Sequence, residues 1–255
     1  RSDVVSCAER LFTVNNRAIY AAGDVTERAM QEKVADPLSA LPMGEALLPM
    51  AVRPSSTDGV QVVLIDKPER TQSQIMIGHP SIEAAHPDHL ALSLGNMIFG
   101  GTFTARLSHE IREKRGWSYG AYSQLLSFRH GGTFAYRYYP AVGDTADALE
   151  TLVNDGVSDD EVAFAKSTMI NQFAFRVETA WRRLDEAIRA KGFGLPSDHL
   201  DTLSARIEAL DKETINRAIR KHLTPNALKV VLVCTADDVR DAVGKVSRVD
   251  SVQAH

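Results

Sequence analysis

The stretch Met97–Tyr122, MIFGGTFTARLSHEIREKRGWSYGAY, decides how the rest of the chain is read. Two adjacent glycines, Gly100 and Gly101, follow an apolar segment. Leu107 and Ile111 then sit four apart, on one face of a helix that runs to about Lys114. Arg112-Glu113-Lys114-Arg115 forms a dense charged end that stops at Gly116. Beyond it Trp117-Ser118-Tyr119-Gly120-Ala121-Tyr122 changes to aromatic and small residues and reads as a strand. Arg112 falls in the last helical turn and Tyr119 seven positions later, so a turn at the glycine can aim both side chains into one space. A guanidinium is a permanent fork of donors and a phenol adds one more, a pair suited to a peptide carbonyl or the oxyanion it becomes. Spacing alone equally allows a structural role, with Arg112 facing the helix dipole and Tyr119 packing its ring.

Working outward, Asp88 starts a helix in which Leu90, Leu94 and Ile98 recur every fourth residue. The glycine pair ends it, either by adopting a positive φ or by letting a peptide or partner approach closely. Thr102 or Thr104 is the expected cap of the next helix. Upstream, Gln61–Asp66 and Gln72–His79 read as strands, separated by the turn at Lys67–Arg70. Downstream, the strands Trp117–Ser127 and Thr133–Tyr139 read as a hairpin turning at Arg129–Gly132. A helical stretch at Asp144–Asn154 follows, and Ser158 with Glu161 makes a capping box for a long helix expected to reach about Ala190. Its Trp181-Arg182-Arg183 patch is read as a solvated face. Leu203–Leu210 leads to Asp211, and a helix at Lys212–His222, a buried strand at Asn226–Cys234 and a last helix at Asp237–Val243 complete the series. Residues after Gly244 read as frayed.

The leading segment is different. Arg17–Val25 reads as a buried strand and Thr26–Ala35 as a short helix stopped by Asp36-Pro37. Pro42–Gly59 contains three prolines and few charges, the composition of a linker. The chain begins with Arg1 rather than Met, which suggests that it starts inside a longer protein.

Bulk properties remove several classes. With 255 residues the chain has ample length for a core, and 44% hydrophobic against 24% charged residues is an ordinary globular balance. A net charge of -4 gives no electrostatic case for nucleic acid or an anionic membrane. No apolar run approaches the roughly 18 to 20 residues that span a bilayer. Cys7 and Cys234 are too few and too far apart for a disulfide framework or a zinc knuckle.

The central stretch resembles the insulinase/pitrilysin family of zinc peptidases, which includes the mitochondrial processing peptidases. The likeness rests on Phe99-Gly100-Gly101, Arg106-Leu107, the run Glu110–Gly116 and Ser118-Tyr119-Gly120. The resemblance implies two related halves, one holding zinc through His-x-x-Glu-His and a later glutamate. The other half is metal-free and offers an arginine and a tyrosine across a cavity. Arg112 and Tyr119 match that pair, so the resemblance implies the metal-free half. The residues agree: none of the eight histidines begins His-x-x-Glu-His or His-Glu-x-x-His, the spacings that put two imidazoles and a base on one helix face. Glu83, His86 and His89 have helical i, i+3 steps that could in principle hold a metal, but Pro87-Asp88 there reads as a helix start, and no metal site is assigned.

The expectation is therefore an α+β chain with an antiparallel-rich sheet and helices packed on one face. Residues 1–41 would be the tail of a preceding peptidase half, 42–59 a linker and 60–255 an inactive peptidase-like domain. By resemblance it closes over a zinc-bearing half, upstream on the same chain or in a separate subunit, pairs with it as a dimer in the latter case, and binds unfolded peptide through Arg112 and Tyr119. Gly100 and Gly101 are assigned to the chamber or the turn. Alone, the chain would bind no zinc and cleave nothing. The alternative is a structural module like the core proteins of respiratory complexes. The compartment is unassigned, with a bacterial periplasm suggested by analogy only.

Overall fold

The structure, a computed structural model, describes residues 1–47, 58–68, 73–116, 118–138, 154–235 and 249–253. Among the described residues six strands form one sheet: β1 (Gln61–Asp66), β2 (Gln74–Ser81), β3 (Tyr122–Phe128), β4 (Gly131–Tyr138), β5 (Lys229–Cys234) and β6 (Val249–Gln253). Their spatial order is β3-β4-β2-β5-β1-β6. The pairs β3–β4, β4–β2 and β2–β5 are antiparallel, while β1 lies parallel to both β5 and β6. The α+β, antiparallel-rich reading holds, and the parallel edge is an addition to it.

Alternation explains why only one face is covered. In β2, Ile75, Ile77 and His79 are buried while Met76 between them is 53% exposed. Val62 and Leu64 of β1, and Val230, Leu232 and Cys234 of β5, turn the same way into the core. Helix α3 (His89–Asn96) runs on without a break into a π-helical turn, Met97–Gly101, and buries Leu92, Leu94, Ile98 and Phe99. Helix α4 begins at Arg106–Ser108, continues as the π-turn His109–Lys114 and buries Leu107 and Ile111. The remaining cover is α5 (Asp159–Arg176), α6 (Ala180–Gly192), α7 (His199–Ala209) and α8 (Lys212–His222). At Gly95 an added Cβ would lie 2.7 Å from Ile219 Cγ1, so glycine lets α3 and α8 pack in direct contact.

Several expectations are corrected. Neither Thr102 nor Thr104 caps α4; Ala105 stands at the N-cap position with no side-chain bond. The capping box of Ser158 and Glu161 is present, but the long helix breaks after Arg176, and Thr179 caps a separate α6 by accepting from the Arg182 N–H. Residues after Gly244 are not all frayed, since Val249–Gln253 pairs with β1. The expected helices at Asp144–Asn154 and Asp237–Val243 lie almost wholly or wholly outside the described residues.

The leading segment holds α1 (Ser2–Leu11) and α2, built from Glu27–Met30, the π-turn Gln31–Ala35 and Asp36–Leu38. Thr26 caps α2 as its side chain accepts from the Ala29 N–H. Residues 17–25 are not a strand. The expected burial fails with it: Ile19, Tyr20 and Val25 are exposed, and among the described residues no neighbouring strand pairs with this segment. Asn15 and Asn16 instead tie the segment to its own end, donating to the Gly44 and Glu45 carbonyls at 2.7 and 3.1 Å.

Candidate peptide-binding site

Arg112 and Tyr119 converge. Ile111 and Leu107 are fully buried, which fixes the face that α4 turns to the core. The buried Ser108 hydroxyl donates to the Ala121 carbonyl at 2.9 Å and holds the helix against the lead-in to β3. Gly116 has φ 64, the left-handed conformation glycine tolerates, and its N–H donates to the Arg112 carbonyl at 3.1 Å. A local turn follows, in which the Ser118 hydroxyl donates to the Gly120 carbonyl at 2.8 Å. The chain turns between the two residues, but Tyr119 sits in that turn and not on the strand expected to start at Trp117, because β3 begins only at Tyr122; Trp117 lies outside the described residues.

A third residue joins them. The Arg112 guanidinium carbon is 4.1 Å from the centroid of the Phe103 ring and 5.8 Å from that of Tyr119. The two rings are 6.4 Å apart. Tyr119 is 84% exposed, so its ring serves no core, against the packing alternative. Cation–π contact engages the face of a guanidinium and leaves its in-plane N–H groups for another acceptor. The neighbouring charges are taken: Glu110 accepts from Lys114 at 2.8 Å and Arg115 at 2.9 Å, and His109 is 3.4 Å from Glu113. Among the described residues Arg112 forms no ion pair. Lys114 holds the Glu110 carboxyl below its ordinary range, slight desolvation opposes this, and Arg115 adds to it. Phe103 was not singled out from sequence; an aromatic between two threonines outside the helix was its only signal.

The glycines act otherwise than expected. Neither Gly100 nor Gly101 has a positive φ; both continue the π-turn. Gly100 permits a close approach, but to its own chain: a Cβ there would lie 2.6 Å from Ser123 Oγ and 2.7 Å from Ser123 N. Gly101 is exposed.

On the other flank of α4 a cavity of about 820 Å³ is lined by Thr102, Arg106, His109, Glu110 and Glu161 among others. Arg106 clasps Glu161 through two bonds of 2.5 and 2.6 Å. Desolvation pushes the Glu161 carboxyl up, and the bonds from Arg106 and Ser158 more than offset it, leaving it below the ordinary value.

No catalytic zinc motif is present in the chain. Glu83, His86 and His89 do not form a cluster; His86 meets Asp88 and His222 instead. His89 stands outside that cluster and lines a cavity together with His86 and His199. Burial, with the nearby His199, His86 and Arg206, lowers the His89 pKa to about 4.

Residues 1–169 match the family described as the peptidase M16 inactive domain. An uncharacterized zinc protease of Mycobacterium tuberculosis is 26% identical over 234 residues, which are 88% of this chain and 52% of that protein. The chain thus spans about half the length of the curated relatives it matches. A peptidase M16 inactive domain from Pseudomonas fluorescens superposes with a TM-score of 0.80 at 26% identity, over 91% of this chain and 56% of the other. A chain of complex III from Candida albicans shares the fold, with a TM-score of 0.71 at 16% identity over 93% of this chain and 60% of that one. The chain therefore belongs to the insulinase-type M16 peptidases, as an inactive, non-catalytic domain of that family.

Proposed function

We propose that this domain closes over a zinc-bearing peptidase half and holds the backbone of an unfolded peptide there, with Arg112 and Tyr119 as hydrogen-bond donors. The observation that carries the reading is the meeting of the Arg112 guanidinium and the exposed Tyr119 ring at 5.8 Å, with no core role for the phenol. Phe103 fixes the guanidinium plane by stacking at 4.1 Å, which reduces the entropy lost when peptide binds. Zinc, when bound by the other half, supplies the activated water; this chain supplies position and charge.

The test pairs the chain with its zinc-bearing half. Removing one oxyanion-type donor costs about 2.7–4 kcal/mol of transition-state stabilisation, so Arg112→Ala is expected to lower kcat/KM at least roughly tenfold. Arg112→Lys rescues little, because an ammonium lacks the planar fork. An unchanged rate in Arg112→Ala removes the role.

A structural module is the second reading, and the fold shared with the complex III chain is what favours it. It predicts an assembly that forms normally with both donors deleted and cleaves no peptide in either form.

A further inference from the structure

Away from the peptide site, three metal-ligating side chains meet that the proposed function does not use. We propose that His86, Asp88 and His222 form a binding site for one divalent transition metal of the zinc class, which clips the start of α3 to the end of α8.

One ligand atom from each residue lies within 4.8 Å of the other two. His222 Nε2 is 2.8 Å from Asp88 Oδ2. His86 Nδ1 is 4.0 Å from the same oxygen. That nitrogen accepts the Asp88 backbone N–H at 3.0 Å and so already presents a lone pair at the cluster. The two imidazoles stand edge to face, 5.0 Å between centroids. Ligands on a tetrahedral zinc with bonds of about 2.0–2.1 Å are roughly 3.3 Å apart. Occupancy therefore asks the His222–Asp88 pair to open by about half an ångström and His86 to close by slightly more, while giving up the Asp88 N–H.

Asp88 supplies a second indication. It occupies the N-cap position of α3, where a carboxylate ordinarily accepts a helix N–H, yet it makes no such bond. Its oxygen is aimed at His222 and at Lys221, whose ammonium lies 2.8 Å away. Lys221 thus already holds a positive charge at this oxygen. Its side chain is 58% exposed and free to swing out when a divalent ion arrives. Two imidazoles with one carboxylate suit zinc, cobalt, nickel and copper, whereas calcium and magnesium prefer oxygen throughout. Three protein ligands leave a position for water, and His86 also lines a cavity of about 480 Å³.

The site is separate from Arg112 and Tyr119. The Ala84 N–H donates to the Phe128 carbonyl at the far end of β3, while Tyr119 precedes its beginning. A seven-residue strand puts roughly 20 Å between the two ends.

The test titrates the 255-residue chain with Zn²⁺ against a chromophoric chelator, and records the visible spectrum with Co²⁺ and the melting temperature with and without Zn²⁺. One ion per chain is expected, with a raised melting temperature. His222→Ala and His86→Ala are expected to weaken Zn²⁺ binding at least tenfold and to abolish the thermal shift, while His130→Ala in the hairpin turn leaves both as they are. Lys221→Met removes the competing ammonium and is expected to tighten binding several-fold, an effect opposite to that of breaking a mere ion pair. The proposal is overturned if the wild-type chain shows no saturable one-to-one binding, or if binding is the same after loss of both His86 and His222.

Discussion

At the residue scale, two side chains show how burial converts identity into behaviour. His79 is 4% exposed, with its Nδ1 placed 2.8 Å from the Pro80 carbonyl. A carbonyl only accepts, so Nδ1 carries the hydrogen and Nε2 accepts the Thr224 N–H at 3.4 Å. Desolvation lowers the imidazole below its ordinary 6.5, opposed by the Pro80 bond. The unfolded chain therefore takes up this proton at a higher pH than the folded one. The resulting stability is fully present above the unfolded value of about 6.5 and is lost as pH falls toward the folded value. Thermal melting followed from about pH 7.5 to about pH 5.5 is expected to fall more steeply for wild type than for His79→Gln. Equal slopes would remove His79 from the account. Gly100 is the second case. Because its missing Cβ would lie 2.7 Å from a backbone nitrogen, which cannot swing aside, Gly100→Ala is expected to destabilise. An overpacking cost of about 1–3 kcal/mol should appear in urea unfolding.

At the element scale, hydrogen bonds settle where helices start. Ser158 and Glu161 satisfy each other's neighbouring N–H groups, and that signature was readable at three-residue spacing. Thr179 caps α6 in the same way, but it lies inside a helix-compatible run and was read through. Continuation was allowed by local preference; the break lets Arg176 reach back to Glu186 of α6, a pair set by packing. Thr179→Ala is expected to cost about 1 kcal/mol, with the loss confined to α6 by hydrogen exchange. Protection lost equally across the sheet would argue against a local cap. α4 carries the opposite lesson, since its apolar spacing gave the helix without any cap at all.

At the scale of the whole molecule, one sheet face is sealed and the other is not. Met76 is 53% exposed between the buried Ile75 and Ile77 of β2, and Leu126 and Phe128 are 47 and 56% exposed on β3, where Leu125 and Ser127 are half-buried. The leading 47 residues bury only Thr13 among their side chains and bond mainly to themselves. Deleting residues 1–47 is therefore expected to leave the extrapolated unfolding free energy of the remaining domain unchanged within about 10–15%, the uncertainty of that extrapolation. A large loss would show that the segment is part of the domain's core. Its exposed Val4, Phe12 and Val25 instead suit a surface that another body covers.

Period and punctuation in the sequence determined β1, α8, the hairpin, the capping box and the α+β class, because each depends on residues within a few positions of one another. The nearness of Arg112 to Tyr119 belongs to the same group, since a helix end and one glycine turn lie in the seven positions between them, although Tyr119 stands ahead of β3 and not on it. Only the tertiary structure decided the parallel edge of the sheet, the missing strand at 17–25, the stacking of Phe103, and the cluster in which His222 meets His86 and Asp88. A strand needs a neighbour to hydrogen-bond to, and a ligand set needs groups brought together across 134 residues of chain. Neither condition leaves a local mark, because both are satisfied by distance in space and not by spacing along the sequence.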